Sequence, residues 1–169
     1  MLKIIEEITV KKYSEHFTGS REQLQALWKE VIISEEAKGN QRPFISAEVS
    51  GKNFDLFPWY GKTFSQMTED RVVGIYNTEK EFISVSKTRT QCEKPMTIFE
   101  ALCTTRNIAL NFDKISGQII IFFGEEGIND EYINQGYVVI QRVEGVLNII
   151  VFSYVENMHW LGTNFFLCY

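Results

Sequence analysis

Two histidines, His16 and His159, and three cysteines, Cys92, Cys103 and Cys168, are the side chains here best suited to acid–base, nucleophilic or metal chemistry. Neither type is grouped. The chain has no H-x-x-x-H and no C-x-x-C, and Cys168, nine residues after His159, completes only a lone pair of ligands, so no metal site is expected. Cys103 falls within a predicted helix and reads as a small buried apolar side chain. Cys92, in the polar stretch Thr90–Lys94, is the more exposed thiol. Gly124-Glu125-Glu126-Gly127 has glycines but sets carboxylates where a phosphate needs donors. Asp113, Glu125 and Glu126 show no convergence across a cleft, as a glycosidase-like pair requires. No catalytic residue and no cofactor is predicted from these patterns.

His16-Phe17-Thr18 resembles the H-x-T element of the two-histidine phosphoesterases. The resemblance implies His16 as acid or base at a phosphate ester and covers three residues. The second element needs a hydroxyl residue two positions after His159, and Leu161 stands there. A phosphoesterase-like enzyme using His16 is thus one alternative function.

Charge distribution points elsewhere. Lys plus Arg balance Asp plus Glu at 7 against 7 in residues 1–42 and again in 43–94, whereas residues 95–169 hold 3 against 8. The whole net charge of -5 therefore belongs to the last segment. Its acids concentrate in Glu125, Glu126, Asp130 and Glu131, with Glu144 further on. Tyr132 and Tyr137 would supply rigid amphipathic contact area beside that field. These seven residues form the predicted partner-binding set, and the partner they suit is a basic protein. Single-domain acidic proteins of this size include inhibitors of basic nucleases, among them the immunity proteins of bacterial toxin systems; the likeness is one of size and charge. A sequence pI near 5.2 with scattered basic residues argues against nucleic acid.

A chain of 169 residues with 44% hydrophobic and 14% aromatic residues is sized for one domain, 1–169, with a substantial core. An odd cysteine count fits a reducing compartment. The segment Met1–Glu7 meets acidic residues before a signal-peptide core could form, and no apolar stretch approaches the ~20 residues of a membrane span. A cytoplasmic location without membrane contact is the expectation.

The elements that must position the acidic set are legible as patterns. Ser20 and Gln23 form a capping box before Leu24, Leu27, Trp28 and Val31, an apolar stripe at helical spacing, with Gly39 as the stop; a helix is predicted over 20–38. Thr97-x-x-Glu100 opens a second helix, predicted to break near Asn107, because Ile108, Leu110 and Phe112 alternate as in a strand; the assignment of 107–113 stays open between strand and helix. Two hairpins are read in 44–57 and 72–86, and a third where Tyr137–Val143 meets Val146–Tyr154 through Glu144-Gly145. Gln118–Phe123 and Thr163–Cys168 complete the strands. Apolar runs at Ile119–Phe123 and Ile149–Phe152 require cover on both faces. The predicted class is α+β: a meandering, mostly antiparallel curved sheet of about nine strands with helices at 20–38 and about 97–106. A ligand-binding β-barrel or half-barrel, lined by aromatics such as Trp59-Tyr60 and His159-Trp160, is the other alternative function.

Overall fold

A computed structural model describes residues 3–18, 21–49, 52–54, 66–77, 83–84, 96–111, 117–124, 135–153, 159–160 and 164–168. Within them the chain runs β1 (Lys3–Val10), α1 (Arg21–Ala37), β2 (Phe44–Val49), β3 (Lys52–Phe54), β4 (Arg71–Asn77), β5 (Ile83–Ser84), α2 (Ile98–Asn111), β6 (Gln118–Gly124), β7 (Gln135–Val143), β8 (Val146–Ser153), β9 (His159–Trp160) and β10 (Asn164–Cys168). The class is α+β, with two helices and open sheets among the described residues.

Five consecutive residues of β6, Ile119–Phe123, are buried, so that strand must have cover on both faces. Ile119, Ile121 and Phe123 join one core cluster with α2 residues Ile98, Phe99, Leu102 and Ile108 and α1 residues Leu24, Leu27, Trp28 and Val31. Their neighbours Ile120 and Phe122 point the other way and are equally buried, opposite Val139 and Tyr137 of β7. The two helices pack on each other and α2 lies on β6, β7 and β1, which supplies the first cover.

The predicted meander forms in part, as the consecutive antiparallel strands β6-β7-β8 and the hairpin β2-β3. Strand order in the main sheet is β1-β4-β10-β6-β7-β8-β2-β3, eight strands, while β5 and β9 make a separate two-stranded ladder. The predicted hairpin over 72–86 is replaced: β4 pairs with β1 and β10, and β5 with β9. Two pairings are parallel, β10 with β6 and β2 with β8, so the sheet is mixed. A buried strand pays no heed to which part of the chain supplies its neighbour, and apolar segments from the far ends of the sequence fill those places. Segments 55–65 and 112–116, which include predicted strand and link residues, lie outside the described residues, as does Phe112.

Where turn chemistry was explicit, the prediction holds. Val143 pairs with Val146 across Glu144 and Gly145, whose φ angles are 51° and 83°. A two-residue loop with both central residues at positive φ is the hairpin turn that matches strand twist, and glycine adopts the second position without strain. Gly39, at φ 79°, likewise ends α1: its N–H donates to the Glu36 carbonyl at 3.0 Å and the Asn40 N–H to the Glu35 carbonyl at 3.0 Å, the Schellman arrangement.

The break predicted near Asn107 does not occur; α2 continues to Asn111. Ile108 and Ala109 are buried and Leu110 packs partly on the core, so the residues read as alternating are carried by a helix. Ile108→Ala should lower the free energy of unfolding by about 2–4 kcal/mol in urea denaturation. A loss below about 0.5 kcal/mol would instead mark the last turn of α2 as peripheral to the core.

Candidate functional site

Connectivity separates the seven predicted partner-binding residues. The pair Gly124 and Gln135 closes the β6–β7 ladder at one end, and Val143 and Val146 close β7–β8 at the other. β7 is nine residues long, which at ~3.3 Å per residue sets these ends about 30 Å apart. Glu125, Glu126, Asp130, Glu131 and Tyr132 lie outside the described residues, between the anchors Gly124 and Gln135. Glu144 is exposed at the opposite end. The two described anchors of the acidic connection, Gly124 and Gln135, thus lie at one end of the ladder and Glu144 at the other.

Tyr137 is corrected outright as a surface anchor. Its side chain is 1% exposed, and its ring meets that of Phe122 with centroids 6.3 Å apart and planes at 56°. It holds the sheet face opposite the helices and offers a partner no area.

The root of the acidic connection is well built. The Gly124 N–H donates to the Met96 carbonyl at 2.8 Å, and Met96 bridges Phe123 in parallel fashion, two residues before α2 begins. The capping box of α2 is present as predicted: the Glu100 N–H donates to Thr97 Oγ1, and the Thr97 N–H to Glu100 Oε1, both at 3.2 Å. Glu100 Oε2 also lies 3.4 Å from Arg71 Nε. Gly124, the residue before the acidic segment, thus lies beside the residues that lead into the N-terminus of α2.

At the other end stands an ion pair that pattern reading missed. Glu35, 1% exposed, accepts from Arg142 Nη2 at 2.7 Å on one oxygen and from Asn40 Nδ2 at 2.5 Å on the other. Burial raises the Glu35 carboxyl, but the Arg142 and Asn40 hydrogen bonds and the Arg142 and Lys38 charges outweigh it and hold it below its ordinary value. Arg142 Nη1 also donates to the Gly145 carbonyl at 3.5 Å, tying α1 to the turn that carries Glu144. The signal was available: Glu35 follows Val31 by four residues, on the apolar stripe, where a carboxylate needs a cation. What the sequence could not supply was Arg142 as the partner.

The remaining chemical candidates are placed as follows. His16 is exposed, and its carbonyl accepts from Gln23 Nε2 at 2.6 Å; Gln23 Oε1 accepts from the Thr18 N–H at 2.7 Å. Gln23 thus pins the loop before α1, and the predicted cap residue Ser20 lies outside the described residues. The backbone of His159 pairs with Ser84 in the small ladder. Cys103 is buried, and burial pushes its thiol up to about 12, which leaves no thiolate at neutral pH. Cys92, Trp59 and Tyr60 lie outside the described residues. The described strands form an open sheet and so no closed barrel. Among the described residues no group of three or more His, Cys, Asp or Glu could hold a metal, and no helix is long and apolar enough to cross a membrane.

Comparison with protein-family models, with curated proteins and with solved structures found no match.

Removing one member of a buried, hydrogen-bonded ion pair costs about 3 kcal/mol, reduced where one partner is partly solvated as Arg142 is. Glu35→Ala should therefore destabilise the fold by about 2–3 kcal/mol in chemical denaturation. Because Glu35 is held low in the folded state, its contribution is fully present above its unfolded value and is lost as pH falls through the folded one. The stability difference between wild type and Glu35→Gln should accordingly shrink on acidification below the usual carboxylate range. A difference that stayed constant down to acid unfolding would show the pair to be electrostatically idle.

Proposed function

We propose that the chain is a non-enzymatic protein-binding domain, an inhibitor or immunity-type protein that neutralises a basic partner such as a nuclease toxin. The observation that carries the reading is the chain's own charge distribution. Residues 95–169 hold the whole net charge, and half of that segment's eight acids stand in the connection between β6 and β7. A concentrated field on a firm base accelerates encounter with an oppositely charged protein and excludes like-charged ones. The base is supported by the buried β6–β7 ladder and by the α2 N-terminus at its root.

Glu125, Glu126, Asp130 and Glu131 provide the charge in this proposal and Tyr132 the aromatic contact. Tyr137 drops out through burial, and Glu144 stands at the other end of β7 from the described anchors of that connection. A basic active site would be occluded by carboxylates meeting the lysines and arginines that bind phosphate.

Reversal of the four acids to lysine (E125K, E126K, D130K, E131K) is the test. The wild-type protein should retain basic proteins from a cell lysate at low ionic strength and release them as salt rises. The reversed protein should lose those partners while keeping the wild-type far-ultraviolet spectrum. Recovery of the same partners by both proteins, with the same salt dependence, would sink the assignment.

A further inference from the structure

β1 ends the main sheet, and its one neighbour among the described strands is β4. Among the described residues its outer side spans eight residues, about 26 Å at ~3.3 Å each, and the opposite edge strand, β3, three. The register of β1 with β4 is continuous from Glu6 to Val10 and shifts between Ile4 and Glu6. Beyond Val10 the chain stays beside the start of β4, where the Lys12 N–H donates to Asp70 Oδ1 at 2.7 Å and Lys11 Nζ lies 3.3 Å from Asp70 Oδ2. The regular edge is therefore Glu6–Val10, and Lys11 and Lys12 continue past the end of β1, held beside it by Asp70. Glu6, Glu7, Thr9, Lys11 and Lys12 are all exposed, while Ile8 is half-buried and Val10 buried on the helix-covered face.

Glu6-Glu7-Ile8-Thr9-Val10-Lys11-Lys12 is complementary to its own reverse. Laid antiparallel against a copy and centred on Thr9, it sets Glu6 opposite Lys12, Glu7 opposite Lys11 and Ile8 opposite Val10. Thr9 meets its own counterpart. Directly opposed residues share a face, so this alignment keeps Glu7, Thr9 and Lys11 together on one side and extends the apolar row of Ile8 and Val10 on the other. A shift of the centre by one residue leaves all four charges facing neutral residues. A shift by two opposes Glu7 to Glu7 or Lys11 to Lys11.

We propose that β1 is a homodimer interface, in which two copies of this chain join edge to edge about Thr9 and merge their sheets. Charged residues on an edge strand usually discourage pairing with arbitrary strands. Here the same charges admit one partner, a second copy in one register. Lys11 is 78% exposed despite its contact with Asp70 and can meet Glu7 of the copy as well. The Thr9 carbonyl accepts a long 3.5 Å bond from Asn107 Nδ2, and a carbonyl oxygen has room for a second donor.

Sedimentation equilibrium of the full chain tests this, with circular dichroism as the check on folding. Wild type should give twice its 19.7 kDa mass at low salt, with dissociation as salt rises. The variants E6K/E7K and K11E/K12E should each associate at least about tenfold more weakly, since four cross-strand charge pairs are lost. An equimolar mixture of the two should form a dimer, and the four-site exchange E6K/E7K/K11E/K12E should restore self-association. A wild-type protein that is monomeric at its highest soluble concentration overturns the proposal. A dimer indifferent to both two-site variants overturns it too. Should either two-site variant fail to fold, the four-site exchange decides: a dimer supports the interface and a folded monomer refutes it.

Discussion

A strand made of Ile119-Ile120-Ile121-Phe122-Phe123 has no side that tolerates water, and that requirement organises the fold around β6. Alternate residues of a strand point to opposite faces, so burying all five demands a layer above and a layer below. On one side α1 and α2 provide it, through Leu27, Trp28, Phe99 and Leu102. On the other face, Ile120 and Phe122 stand beside their ladder partners Val139 and Tyr137 of β7, and all four are buried. Pairing partners follow from the same need. β6 takes β7 from the next segment and β10 from the end of the chain, and β10 in turn joins β4 and β1 to the sheet. Burial on both faces also pins the register, because a slip of one residue would exchange the two sets of side chains.

Electrostatics is subordinate to that core and is arranged at its margins. Glu35 and Arg142, 107 residues apart, are admitted beneath α1 because each satisfies the other and Asn40 takes the remaining carboxylate oxygen. The Schellman turn at Gly39 brings Asn40 back over Glu35, so a local backbone preference supplies part of a long-range contact. Glu100 serves twice in a similar way, closing its own helix terminus with Thr97 and meeting Arg71 from β4. Neither cluster resembles a catalytic constellation, since every carboxylate in them is occupied by a structural partner.

Local chemistry was readable in the sequence and long-range pairing was not. Glu144-Gly145 declared its hairpin, Thr97-x-x-Glu100 its cap, and Leu24, Leu27, Trp28 and Val31 a buried helix stripe, because each signal lies within a few residues. The α2 terminus was misread because the spacing of Ile108 and Phe112 also fits a helix and Leu110 between them suggested a strand, and the core contact of Ile108 arbitrated. β1 escaped notice for a related reason: Glu6 and Glu7 interrupt its alternation, and the register irregularity beside them is the structural counterpart. Of the candidate site, its charge was legible but its geometry was not. The distance from Gly124 to Glu144 depends on which end of β7 each turn occupies, and Tyr137 looked like a surface tyrosine until pairing with Phe122 placed it inside.

An open sheet of this size must also manage two edges, and the chain treats them differently. At β3 the described edge is three residues long, a short template for another strand. β1 cannot be shortened in the same way, because Ile8 and Val10 belong to the core side of the sheet and their removal would uncover β4. Its edge is controlled by charge instead, with glutamates before Thr9 and lysines after it. A strand guarded against all partners would carry one sign throughout, since like charges opposed across any register repel. Two signs divided at the midpoint do something narrower: they penalise most registers and leave one that attracts. Charge thus becomes a register device on this strand, the role that buried side-chain alternation plays for β6 at the centre of the same sheet.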